Sequence, residues 1–480
     1  MYIKEKILFF AILSIQSNAL FALPNWQEFT FQKDENKPLV VSVNQLSQFQ
    51  IDRILNQKIN MPLSNFSSQQ ERKNEFLKTI ELALMKHPDI QQQIQNIQGQ
   101  NANIEIVKAG YYPHLSSAMT TGDFSSRERG RQLISLSATQ LLYDFGKTQS
   151  SINAEQAQLA VKKVNLLIKI DEIALKASSL IINIKRSQEI VRIAQQEVKG
   201  IRHIVEITQL RAKAGLSSQA DPVQAQSYLQ IAQTNLIAQQ SLLKQYQLQL
   251  QTLVGLEQSL GNWEIPTALT LNSALYDEPK FNRIPQMMAS QAEIYVAQAK
   301  RSQAKAEYYP TVSLKGTLSQ AFNGRNPNTN EQNGHDSSIM LEATANLFQG
   351  GATAAQVRAA SYAEDAAKSK LSSDYRNILD QVQLIREQIE NKQRQLQILL
   401  ARQQVTIKTK ELYQEQYKLG TRSALDLLNA EQAIHSASSD IENARYDIYN
   451  SLAQYIQVTG RTRDVYELNH VSIQGVEIQP

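Results

Sequence analysis

Gly146-Lys147-Thr148 is the triplet most suggestive of phosphate chemistry in this chain. A phosphate cradle needs another glycine five positions before Gly146, and Leu141 stands there, so the triplet reads as the opening of a helix. The six histidines, His87, His114, His203, His335, His435 and His470, are scattered with no partner at metal-ligand spacing. The absence of cysteine excludes thiol nucleophiles, zinc-thiolate sites, disulfides and a lipidated N-terminal Cys. No Ser-His-acid or paired-carboxylate arrangement stands out either. These residues describe a conduit or scaffold, not an enzyme, and imply no cofactor and no metal.

The elements that position any site are long helices. From Thr148 to Ala214 there is no proline and one glycine, Gly200, and Ile190, Ile193, Val198, Ile201, Ile204 and Thr208 recur at helical spacing. At about 1.5 Å per residue this helix runs on the order of 100 Å, which only a coiled-coil stalk or barrel accommodates. The 49 basic and 45 acidic residues are interspersed, giving +4 and no nucleic-acid footprint.

Residues 1–22 read as a secretory signal: Lys4 and Lys6, the apolar run Ile7 to Ile15, then small-residue ends at Ala19 or Ala22. No later stretch has the ~18 consecutive apolar residues of a membrane helix, so a membrane segment would have to be built from strands.

Beyond a polar segment, 23–74, the chain is a tandem repeat, 75–255 and 285–460, joined by 256–284 and followed by a tail, 461–480. Tyr111-Tyr112-Pro113 returns as Tyr308-Tyr309-Pro310, and Gly215 with Asp221 returns as Gly420 with Asp426. Each repeat predicts a helix stopped by its proline, a hairpin, a long helix ending at Gly215 or Gly420, and a return helix. The first short helix is expected from about Glu75 to Gly110, and the second from about Pro285 to Glu307. Asp221-Pro222 reads as the cap and first residue of the first return helix, and Ser423 to Asp426 as a capping box. Leu229, Leu236, Leu243 and Leu250, like Ile434, Ile441, Ile448 and Tyr455, keep the seven-residue spacing of a coiled coil. A short helix and a return helix, stacked end to end, match one long helix in length.

The hairpins predict strands at Leu115–Thr121, Ile134–Leu142, Val312–Ser319 and Ile339–Leu347, each apolar on one side and polar on the other. Four strands are too few to close a barrel, whose smallest form has about eight, so several chains must share it. Tyr111, Tyr112, Tyr143, Phe145, Tyr308, Tyr309 and Phe348 cluster where helix meets strand, as membrane-interface aromatics do.

Taken together, the two-fold repeat, Tyr-Tyr-Pro before each hairpin, Leu142-Tyr143-Asp144-Phe145-Gly146 and Leu347-Phe348-Gln349-Gly350-Gly351 after each, and the glycine–aspartate turns resemble the TolC family of outer-membrane export channels. The resemblance implies a mainly α fold with a β-barrel part: a homotrimer whose twelve-stranded barrel sits in outer-membrane lipid and whose α-helical tunnel crosses the periplasm. It implies the exit duct of a tripartite export system, docked on a periplasmic adaptor (membrane fusion) protein and an inner-membrane ABC or proton-driven transporter. Type I protein secretion is favoured over multidrug efflux. The alternative is a soluble exported coiled-coil scaffold or adaptor.

By the same resemblance the tunnel's inner end is gated by Asp221, Tyr417 and Arg422, while Asp426 forms a constriction ring and the turns at Gly215 and Gly420 meet the adaptor. Three carboxylates on one axis would attract cations. A second acidic position in the family is Asn429 here, leaving a less negative throat. Read from the residues alone, Asp221 is equally a helix cap and Arg422 a solvated charge.

Overall fold

The computed structural model describes residues 39–42, 67–122, 130–255 and 274–479, with 263, 265 and 269 between them. The secretory signal, most of segment 23–74, positions 123–129 of the first hairpin loop and much of 256–273 lie outside the described residues. All elements labelled below belong to the unit Val40–Pro480.

The first short helix divides in two, α1 (Ser67–Lys86) and α2 (Pro88–Lys108), so it begins earlier than its apolar pattern announces. The division has a local cause. Pro88 has no N–H to continue α1, and His87 turns extended and caps α2, its Nδ1 accepting the Asp89 N–H at 3.2 Å.

Strands β1 (His114–Gly122) and β2 (Arg131–Tyr143) follow, then α3 (Lys147–Lys213) and α4 (Ala220–Val254). The second repeat supplies α5 (Pro285–Ala306), β3 (Thr311–Phe322), β4 (His335–Thr344), α6 (Ala352–Lys418) and α7 (Ala424–Val458). Both long helices have 67 residues and both return helices 35. A short helix α8 (Thr462–Val465) and a small hairpin, β5 (Ser472–Ile473) with β6 (Val476–Gln479), end the described chain.

Each long helix opens at a left-handed glycine, Gly146 (φ 84°) or Gly351 (φ 85°). Asp144 accepts the Gly146 N–H at 3.1 Å and the Thr148 N–H at 2.6 Å, so the Gly-Lys-Thr triplet is an ordinary helix start. Lys147 is engaged by Glu307 at 2.8 Å.

The helices form one layer. Towards the turn end its order is α4, α3, α7, α6; towards the strands it is α2, α3, α5, α6. The short and return helices of each repeat therefore do lie along one long helix, as their lengths require. Helix α3 is covered on both sides and supplies much of the core, including Val164, Leu166, Leu167, Ile181, Ile182 and Ile184, each worth roughly 1.5–3 kcal/mol when fully buried. Among the described residues, helix α6 is covered on one side only, leaving Tyr362, Leu384, Ile398 and Val405 exposed.

The four strands form one antiparallel sheet in the order β1-β2-β3-β4. The last strand ends at Thr344, opposite Thr311, and not at Leu347 as the alternation suggests. The next partner would be Pro310, which has no N–H to give the ladder, and Leu347 is left 95% exposed. In the first repeat an irregularity between Leu141 and Tyr143 keeps β2 paired as far as Val312.

Candidate functional site: paired helix turns and a two-faced sheet

The turns after α3 and α6 share one geometry because they share one sequence logic. Gly215 (φ 71°) and Gly420 (φ 77°) take the left-handed position that a side chain would strain. The Leu216 N–H donates to the Arg211 carbonyl at 2.9 Å and the Gly215 N–H to Ala212 at 3.1 Å. Thr421 and Gly420 repeat the pair on Gln416 and Tyr417, both at 3.0 Å. These bonds satisfy helix-end carbonyls that would otherwise need water.

The two return helices start differently. Helix α7 has the expected capping box: Ser423 accepts the Asp426 N–H at 3.2 Å and Asp426 accepts from the Ser423 N–H at 3.4 Å. Helix α4 begins at Ala220, with Gln219 as its cap residue and the Ser218 hydroxyl accepting the Ala220 N–H at 3.1 Å. Asp221 is therefore not the cap. It sits inside the first turn, where its charge favours the helix N-terminus.

Behind the turns, Val198, Ile201, Ile204 and Val205 of α3 pack with Ala225 and Leu229 of α4, Tyr417 of α6 and Leu427 and Leu428 of α7. Tyr417 is 4% exposed and its hydroxyl is buried without a hydrogen-bond partner among the described residues. Burial raises its pKa, the Arg211 guanidinium opposes this, and the nearby Asp221 carboxylate adds to it. Arg211 lies 5.0 Å from the Tyr417 ring centroid and donates to the Lys418 carbonyl at 3.4 Å, so it ties the first turn to the second. Sequence reasoning missed Arg211. Its one signal was a cation in the last turn of α3.

Within one chain Arg422 is not on Asp221. It donates to Gln416 at 2.9 Å, covers the Tyr413 ring at 4.4 Å and approaches Asp426 at 3.7 Å. The Ser423 hydroxyl, with Arg422 assisting, holds Asp426 below the usual carboxylate range. Asn429, at the position where the family resemblance implies a second acid, accepts from the Tyr228 hydroxyl at 3.1 Å and so bonds the helical hairpin α3–α4 to the helical hairpin α6–α7.

The sheet has two chemically distinct faces. Leu115, Met119, Ile134, Leu136, Leu314, Leu318, Ile339 and Leu341 are exposed and share one side through the pairings Met119–Ile134, Leu136–Leu318 and Leu314–Leu341. The other side carries Ser116–Ser137 (2.8 Å), Thr317–Ser338 (2.6 Å) and Lys315–Glu342 (4.0 Å). At the helix end of the sheet, Phe145 lies 4.7 Å from Tyr143 and stacks on Tyr309 at 5.1 Å, joining the two repeats. Tyr111 and Tyr308 are exposed nearby in sequence, Tyr112 is half-buried, and Phe348 is 86% exposed. No described helix is long and apolar enough to cross a membrane.

The family described as "Outer membrane efflux protein" matches residues 79–256 and 281–461. The outer membrane protein TolC of Vibrio cholerae is 25% identical over 309 residues, covering 62% of this chain and 69% of that one. The alkaline protease secretion protein AprF of Pseudomonas aeruginosa is 21% identical over 78% of this chain and 82% of its own. The crystal structure of the outer membrane protein VceC of Vibrio cholerae aligns with a TM-score of 0.71 at 16% identity, covering 82% of this chain and 98% of that one. With the family spanning both repeats, their hairpins and their helix turns, this chain belongs to the outer membrane efflux proteins, the TolC family of outer-membrane channels.

Proposed function

We propose that three copies of this chain close into one exit duct, a twelve-stranded barrel continued by a helical tunnel through the periplasm. One observation carries this. Among the described residues the sheet and the helical layer both end in unpaired edges, β1 and β4 in the sheet, α2/α4 and α6 in the layer. A head-to-tail contact that pairs β4 with the next copy's β1 also sets the apolar face of α6 against the next α2 and α4, where Ile106, Ile231 and Ile237 are exposed. Lipid would then cover the Leu and Ile face of the sheet, and the Ser, Thr and Lys–Glu face would line the bore. The exported-scaffold alternative gives that apolar face no purpose. Tyr111, Tyr112, Tyr143, Phe145, Tyr308, Tyr309 and Phe348 would mark the membrane interface.

The helix turns would then form the inner end. Arg422, free to exchange its partners in its own chain for Asp221 of a neighbour, would close it with Tyr417, and three copies of Asp426 would ring the axis. The exposed Leu216 and Leu419 beside Gly215 and Gly420 suit docking on a periplasmic adaptor coupled to an inner-membrane transporter. Protein cargo is favoured by the secretion-named relative; small-molecule efflux is the second reading, favoured by the family description. In planar bilayers Arg422→Ser with Tyr417→Phe should raise single-channel conductance without lowering oligomer yield. Conductance equal to wild type would leave the turns as helix caps.

A further inference from the structure

We infer that Glu431 is a second lock between the two helical hairpins, a positioning residue for the closed duct, seated in a notch at Gly200; this rests on reading the turn end as the gated end. Gly200 is the only glycine in the 67 residues of α3. A Cβ there would overlap Glu431 Oε1 and lie 2.6 Å from its Cδ, so the Glu431 side chain of α7 fills the space that the glycine leaves. The carboxylate cannot swing aside freely. Its side chain is 3% exposed, Lys410 Nζ of α6 stands 2.5 Å from Oε2, and His435 Nε2 stands 3.1 Å from Oε1.

Four helices meet here. Helix α3 brings Gly200 and, one turn earlier, the buried Glu197; α4 brings Asn235, bonded to Glu197; α6 brings Lys410; α7 brings Glu431 and His435. Burial pushes the Glu431 carboxyl up, but the bonds from His435 and Lys410 prevail and hold it below its usual range, so it stays charged.

The division of these groups between hairpins matters. Lys410 and His435 belong to the same helical hairpin as Glu431, while the notch, Glu197 and Asn235 belong to the other, and the bonds to the Glu431 carboxylate come from its own hairpin. The carboxylate can therefore leave the notch with its counter-charge attached, avoiding the large penalty of an unpaired buried ion. It acts as a steric key whose charge is already neutralised, which suits a part that must separate and return.

Helix propensity alone makes Gly200→Ala stabilising; the lock makes it disruptive, because Glu431 must retreat from overlap to ordinary contact. Spin labels on His203→Cys of α3 and Gln432→Cys of α7, both exposed, in a chain with no native cysteine, report the separation of the hairpins. In the full-length protein, with labelled chains diluted in unlabelled ones, Gly200→Ala should shift the distances to longer, broader values. Adding Glu431→Ala should restore them, since alanine needs no notch. Unchanged distances in Gly200→Ala, or no restoration in the double variant, would overturn the lock. Conductance of the same variants tests the gate separately: hairpins that separate without a conductance change would sink the gate reading and leave the contact itself standing.

Discussion

Replacing Asp171 by asparagine should make the protein more stable at pH 8 than the wild type while leaving the two closest near pH 4. Asp171 lies on α3 and is 2% exposed, with Oδ1 buried and unpartnered among the described residues, at the wall of a cavity of about 320 Å³ where α5 begins and α7 ends. Burial pushes its carboxyl up to about 7; the Arg463 guanidinium and the Thr462 hydroxyl oppose this only in part. A folded-state value raised above the unfolded 3.8 means that the protonated form suits the fold, so its stabilisation is full below about pH 4 and lost as pH rises to about 7. At about 1.4 kcal/mol per pH unit over that window, the wild type loses on the order of 4 kcal/mol through this one group. Asparagine mimics the protonated carboxyl and removes the loss. Melting curves of both proteins across pH 4 to 8 in the same detergent should diverge by a few degrees or more. A variant destabilised equally at every pH would refute the reasoning and make Asp171 a simple ion-pair partner of Arg463.

The sheet predicts a contrast between neighbours in sequence. Leu136→Lys, on the apolar face, should reduce membrane assembly by about 2–4 kcal/mol if it lies near the bilayer centre, while Ser137→Lys on the polar face should assemble normally; folding into membranes followed by heat-modifiability on gels separates them. The turns predict another contrast. Gly420→Ala forces a side chain into a left-handed backbone and should cost about 1 kcal/mol, whereas Gly99→Ala, in the interior of α2 with nothing within 4 Å, should gain about 0.5–1 kcal/mol. Denaturant melts read both.

Much of this architecture was legible because it is repetitive. Two glycines, Gly215 and Gly420, end two helices by the same bonds, and two prolines, Pro113 and Pro310, stop two others, so one motif read twice positioned most of the chain. Where a boundary depended on a partner, sequence fell short. The end of β4 is decided by Pro310 on the facing strand, which alternation along Ile339 to Leu347 does not report. The start of α4 is decided by the backbone at Gln219 and the Ser218 hydroxyl, although Asp221-Pro222 has the better capping chemistry on paper. The contacts of Arg211 with Tyr417, and of Gly200 with Glu431, cross some two hundred residues, and only the glycine left a trace as the one interruption of a helical run.

In the proposed duct the open edges of one chain are closed by two others. Single-particle imaging of the full-length protein in lipid nanodiscs counts the copies and shows what faces α6. Three copies are expected, with twelve strands in the bilayer and α6 of each copy packed against α2 and α4 of the next. A monomer or dimer, or a trimer in which Tyr362, Leu384, Ile398 and Val405 still face water, would contradict it.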